Sequence, residues 1–169
     1  APWPSAGDGV GYSLVLIAPM TNPDHNDPLS WRSSADIHGS PGGTDAVGYA
    51  VWKSVNGIAD DLGDPDGDGL SNLGEFASGS DFQMSGTEGE LTGQIVNGFF
   101  EVEIQRNLRS VDEVDLIVES SNDLVSWSND GIYVSETNLG NGIASVKYRV
   151  AIEGDSKKFV RAKWVLRGP

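Results

Sequence analysis

The chain of 169 residues carries 25 acidic against 11 basic residues, a formal net charge of -14, and 38% of it is hydrophobic. That leaves room for one ordinary domain or two small ones around a modest core, and a surface of this sign repels nucleic acid and acidic membranes while favouring cations. Cysteine is absent, which excludes disulfides and thiolate chemistry, and no apolar run is long enough for a membrane-spanning helix.

Residues 1–48 hold one clear strand, Tyr12 to Ile17, in a Gly/Pro/Asn/Asp-rich setting. The opening Ala1-Pro2-Trp3-Pro4 reads as the interior of a larger protein. Prolines at 19, 23, 28 and 41 argue against further regular structure after the strand. Trp31 is expected to anchor this loop region to a core. The stretch Asn22 to Asp27 is rich in oxygen ligands, but it lacks the glycine and the distal glutamate of a metal loop and reads as a turn.

Residues 49–80 change period. Trp52, Val55, Ile58 or Ala59, and Leu62 recur every three or four positions, which predicts a short amphipathic helix weakened by Gly57. A second short helix is expected from Ser71 to about Ala77, with Leu73 and Phe76 on one face and Ser78-Gly79-Ser80 ending it.

Residues 86–169 return to the strand period. Phe100, Val102 and Ile104 alternate with Glu101, Glu103 and Gln105, and further strands are expected at Val114–Glu119, Ile132–Val134, Ala144–Ile152 and Phe159–Leu166. Turn signals fall at Ser121-Asn122-Asp123, Asn129-Asp130-Gly131, Gly140-Asn141-Gly142 and Gly154-Asp155. The fold class expected is mainly β: a small β-sandwich of immunoglobulin or fibronectin type III character, preceded by a helix-loop-helix and a loop-rich N-terminal β segment.

Charge is unevenly spread. No Lys or Arg lies between Lys53 and Arg106, a span with eleven acids, whereas seven of the basic residues lie from Lys147 onward. Within the acidic span, the twelve residues from Asp64 to Glu75 match the calcium loop of an EF-hand at every ligand position. Asp64, Asp66 and Asp68 supply side-chain oxygens at alternate positions, Gly69 allows the sharp bend, and Leu70 offers its carbonyl. Asn72 acts through a bridging water, and Glu75 closes the site with both oxygens. An acidic turn alone requires neither Glu75 at the twelfth position nor flanking helices. Magnesium fits less well, because it demands a rigid octahedron and holds its waters. A lone loop suits clamping better than cooperative sensing.

Two resemblances follow. Gly11 to Ile17, Asn26-Asp27-Pro28, Trp31-Arg32-Ser33-Ser34 and Gly39-Ser40-Pro41-Gly42 resemble the C-terminal end of a bacterial lamin-tail domain, which implies an immunoglobulin-like sandwich from a large exported protein. Tyr49 to Lys53, Asn56-Gly57-Ile58 and the Asp64–Glu75 loop resemble a dockerin-like calcium module of exported Verrucomicrobia and Planctomycetes proteins. Glu119 to Trp127 and Phe159-Val160-Arg161 are similar to the β-domain that follows it. The resemblances imply an extracellular or cell-surface home and transfer no catalytic residue.

Three functions compete. An enzyme has little to work with: His25 and His38 both sit in the loop-rich N-terminal region, no nucleophile elbow is present, and Glu101 and Glu103 read as a solvated strand face rather than a glycosidase pair. A carbohydrate- or cell-surface-binding module could use a basic stripe of Lys147, Arg149, Arg161 and Lys163 on anionic polysaccharide, if those strands are neighbours. Cross-strand pairing with Glu101, Glu103 or Glu119 is the ordinary use of such positions, and Trp127 and Trp164 read as core rather than as a sugar platform. The reading adopted is a non-catalytic calcium-binding structural module that stiffens the C-terminal region of a larger parent chain.

Overall fold

Alternating apolar and polar residues set most of the architecture. The computed structural model describes residues 1–152, 154 and 157–168, so Asp155 of the expected Gly154-Asp155 turn lies outside the described residues. The fold is mainly β: the described residues form eight strands, all in antiparallel pairs, and two α-helices. The strands are β1 (Leu14–Leu16), β2 (Trp31–Ser33), β3 (Thr92–Val96), β4 (Phe99–Asn107), β5 (Val114–Ser121), β6 (Ile132–Gly140), β7 (Ile143–Ala151) and β8 (Phe159–Leu166). Helix α1 spans Tyr49–Asn56 and α2 spans Asn72–Ser78. No helix among the described residues is long and apolar enough to cross a membrane.

One sheet has the order β3-β4-β7-β6 and faces the pair β5-β8 in a small sandwich. Two of its hairpins turn on Asn-Gly pairs: Asn97-Gly98 joins β3 to β4, and Asn141-Gly142 joins β6 to β7, all four residues at positive φ. Both central residues of such a turn must be left-handed, which Asn and Gly tolerate best. Between the layers, Val102 and Ile104 of β4 and Val146 and Val150 of β7 meet Leu116 and Val118 of β5. Each such burial stabilises by about 1.5–3 kcal/mol. Tyr49, Phe76 and Ala77 of the helices pack with Val114, and Trp164 of β8 touches both this cluster and the sandwich core. The helix pair therefore docks on the sandwich through Val114 and Trp164, and side chains of Asn107 and Ser110 donate to the Phe76 and Ala77 carbonyls of α2.

The N-terminal segment packs on the same sandwich. Strands β1 and β2 form a hairpin of three residues a side, so regular structure continues past the prolines after all. Arg32, 1% exposed, is its anchor: both guanidinium nitrogens bond Asp45, at 3.2 and 2.6 Å, and Nε lies 3.5 Å from Asp112. Ser33 donates its amide and hydroxyl to Glu136 of β6, Arg109 pairs with Asp36 at 2.8 Å, and Ala35 packs with Leu108 and Ala144. Trp31, expected as the anchor, is only half-buried and lies with Trp3 and His25 instead.

Helix α1 is shorter than its apolar period suggests. It stops at Gly57, whose φ of 69° forms a left-handed cap. Its inward residues are Tyr49 and Trp52, stacked at 5.9 Å, while Val55 and Leu62 are each 79% exposed. Helix α2 follows expectation: the Ser71 hydroxyl accepts from the Gly74 amide at its start, Leu73 and Phe76 turn inward, and Gly79 ends it at φ 83°.

Candidate metal centre

The segment between the helices is laid down by local hydrogen bonds. Asp61 is held by Lys53 at 2.6 Å and by the Tyr49 hydroxyl at 3.2 Å, which ties residues 57–63 back to α1. The backbone oxygens of Gly63 and Asp61 accept from the Asn72 and Leu73 amides, and Asp60 O accepts from the Asn72 side-chain nitrogen at 2.8 Å. Spending that nitrogen outward leaves the Asn72 Oδ1 buried and without a partner.

The Asp64–Glu75 loop curls in the way its spacing requires. The Asp64 carboxylate accepts from the amides of Gly67 at 2.8 Å and Gly69 at 3.0 Å, and both glycines adopt positive φ. Asp66 accepts from the Asp68 amide at 3.3 Å and Asp68 from the Leu70 amide at 2.8 Å. Carboxylate oxygens of Asp64, Asp66 and Asp68 thereby lie within 4.8 Å of one another. A carboxylate oxygen has two lone pairs, so an accepted N–H leaves it able to coordinate an ion.

Glu75 approaches the three aspartates from α2: its carboxylate lies outside the group of oxygens within 4.8 Å, but their charges act on it. It is fully buried, and neither of its carboxylate oxygens has a hydrogen-bond partner. Asp66 Oδ2 is buried and unpartnered as well. Burial pushes the Glu75 pKa up to about 7, with the charges of Asp66, Asp68, Asp64 and Asp81 adding to it. Asp66 is raised too, by burial first and then by its acidic neighbours. No Lys or Arg pairs with Asp64, Asp66, Asp68 or Glu75 among the described residues. Unpartnered buried carboxylate oxygens are costly, and four of the orphaned oxygens in the protein belong to this one loop: Asp66 Oδ2, Asn72 Oδ1 and both of Glu75. The donor set fits a hard divalent cation that takes oxygen ligands.

Residues outside the loop also take part. Asp68 accepts from the Gly86 amide at 3.4 Å, and Asp81 is among the charges acting on Glu75. The Leu70 side chain would be struck by a methyl placed on Gly74 or Gly89, so it is wedged between α2 and the 81–90 segment. Sequence spacing did not single these residues out, although Asp81, Glu88 and Glu90 belong to the same unneutralised acidic span. Unlike the EF-hand arrangement, α1 ends at Asn56, and residues 57–63 intervene before Asp64.

The remaining candidates separate from the centre. Asp24 and Asp27 accept from the amides of Asn26 and Leu29, so Asn22–Asp27 is a turn. His25 and His38 are both exposed. The basic residues fall on different sheets, since β7 belongs to the four-stranded sheet and β8 pairs with β5. Three of the four lie opposite acids instead: Lys147 faces Glu103, Arg149 faces Glu101, and Arg161 bonds Glu119 at 2.7 Å, whereas Lys163 lies opposite Ile117. Trp127, expected in the core, lies in the loop after β5 beneath the Arg161 guanidinium, 3.9 Å from its ring centre. That loop is curled by Asp123, which accepts from the Val125 and Ser126 amides.

No family model, no curated protein and no solved structure matches the chain.

Proposed function

We propose that the chain is a non-catalytic, extracellular calcium-binding structural module that rigidifies the C-terminal region of a larger exported protein. One ion is held by Asp64, Asp66, Asp68, the Leu70 carbonyl, Asn72 and Glu75. The observation that carries this reading is Glu75, a fully buried carboxylate with no partner for either oxygen, facing three aspartates that no basic residue neutralises. Three aspartates, a carbonyl and a bidentate glutamate approach the roughly six to eight oxygens that calcium takes, and Asn72 adds one through water. Glycine-hinged backbone that can adjust its radius favours calcium over magnesium.

The clamp follows from what surrounds the loop. Asp68 bonds the 81–90 segment, Leu70 wedges between that segment and α2, and α2 packs on the sandwich through Val114 and Trp164. Neutralising the four carboxylates lets these pieces close without mutual repulsion. In this reading residues 1–48 are the closing part of a lamin-tail-like domain, and the ion stiffens the junction that follows it.

Hydrogen exchange with and without calcium tests the clamp. Amides from residue 61 to residue 90 should slow several-fold in calcium, while those of β4 and β7 should change little at their centres. Equal exchange across residues 61–90 in calcium and in chelator would end the clamping role.

A further inference from the structure

A cavity of about 170 Å³ lies where the N-terminal segment meets the sandwich, and no residue of the Asp64–Glu75 loop lines it. Its walls include three aromatic rings: Trp31 next to Leu29, Tyr133 of β6 and Tyr148 of β7. The two tyrosines meet edge to face at 5.8 Å. Trp31 is fixed by Trp3 and His25, each 6.1 Å away between ring centres, and by its indole N–H bonding the His25 carbonyl.

One polar group of the cavity, Arg106, is left largely unpaired by the protein. Arg106 Nε is buried and donates to nothing, and the guanidinium has one long bond of 3.5 Å, to the Val114 carbonyl. Arginine keeps its charge in proteins, so these donors are desolvated without a matching acceptor. Glu136, also buried, bonds Ser33 through one oxygen, and Asp115 pairs with Arg167 at 2.7 Å. Two cations and two anions thus share the cavity with two phenol hydroxyls. A multiply charged anion would meet Glu136 and Asp115, and a purely apolar ligand would strand Arg106. A polyhydroxylated ring suits both, because its hydroxyls donate and accept while its C–H face covers an aromatic ring. Concave sites with apolar walls and a few convergent polar groups are the usual form of small-ligand pockets.

We propose that this cavity binds one pyranose residue of a carbohydrate, with Arg106, Tyr133, Tyr148 and Glu136 bonding its hydroxyls and Trp31 covering one face. The site exists only because residues 1–48 pack on the sandwich, and it works independently of the metal centre. Its failure and that of the calcium reading are therefore separable.

The test is saturation-transfer NMR followed by titration with the methyl pyranosides of glucose, galactose, mannose and N-acetylglucosamine, with glucuronic acid as the charged arm. Each probe is run in calcium and in chelator, against wild type, Arg106→Met, Tyr148→Phe and Trp31→Ala. At least one probe should saturate, and Arg106→Met and Tyr148→Phe should each weaken it about tenfold or more. Arg106→Met should change the melting temperature little, since the guanidinium makes only one long hydrogen bond, 3.5 Å to the Val114 carbonyl. A purely structural arginine would instead lower the melting temperature. Should Arg106→Met fail to fold, Tyr148→Phe, which keeps the ring, carries the comparison. A panel in which no pyranose saturates, or a pyranose bound equally by wild type and Tyr148→Phe, overturns the assignment.

Discussion

Replacing Glu75 by glutamine distinguishes a metal ligand from a structural carboxylate. In calcium-free protein, burial and the neighbouring aspartates hold the Glu75 pKa at about 7, against an ordinary 4.5. Below 4.5 both folded and unfolded chains hold the proton, and the group is harmless. Between the two values the unfolded chain releases its proton first, so stability falls as pH rises. Above about 7 the full penalty is present, and the gap from 4.5 to about 7 is worth about 3 kcal/mol. Glutamine keeps the shape without the charge. Chelated Glu75→Gln should therefore exceed chelated wild type by up to about 3 kcal/mol at about pH 8, roughly 6–12 °C in Tm. The two should converge at about pH 4. Calcium at a hundredfold excess over Kd adds about 2.7 kcal/mol to wild type and nothing to the variant, which closes the gap, and at a thousandfold excess it adds about 4.1 kcal/mol and reverses the order. Urea unfolding at the two pH values, in chelator and in calcium, reads all of these differences. Chelated Glu75→Gln that is less stable than wild type at about pH 8 would refute the reasoning, since it would mean that the protein itself satisfies the carboxylate.

Asp45→Asn leaves the buried Arg32 with only the more distant Asp112, 3.5 Å from its Nε, and should destabilise by about 3 kcal/mol, read from the urea midpoint at constant slope. Burial pushes the Asp45 pKa up, but the Arg32 pair and the Ala35 amide outweigh it and hold it below 3.8. Its stabilisation is thus complete above 3.8 and lost as pH falls further, so the variant's acid-unfolding profile should be the flatter of the two. Gly57→Ala should cost about 1 kcal/mol, since the added methyl meets nothing but φ is positive. Gly79→Ala should cost somewhat more, about 1–2 kcal/mol, because φ is positive and Ile143 Cδ1, 2.5 Å from the added methyl, has to swing aside; thermal melts compare the two. Reversing Lys147 and Arg149 to Glu faces them against Glu103 and Glu101 and should lower stability by roughly 0.2–1 kcal/mol for each pair.

The curled Asp64–Glu75 loop was legible because its pattern is local. Alternate aspartates, a hinge glycine and a glutamate at a fixed distance have to stand in one short stretch, and so does the cap pair Ser71 and Gly79 that bounds α2. Features that depend on distant partners were harder to read. Strand β3 presents Thr92 to Ile95 to solvent, so it carries no alternation and is absent from the expected strands. Gly57 was read as a weak point inside a helix, when it is the cap that ends one. Arg32 finds Asp45 thirteen residues away and Asp112 beyond the helices, a pairing that no period encodes. The idea of a basic stripe turned on sheet order: β7 and β8 are neighbours in sequence but belong to different sheets. Trp127 looked like core because tryptophan usually is, yet the Asp123 turn sends it outward under Arg161.

Calorimetric titration of calcium into chelator-stripped protein tests the central claim most directly. The account predicts one ion bound per chain, with Glu75→Gln silent under the same conditions. No heat, or equal binding by Glu75→Gln, would contradict it and reduce the Asp64–Glu75 loop to an acidic turn.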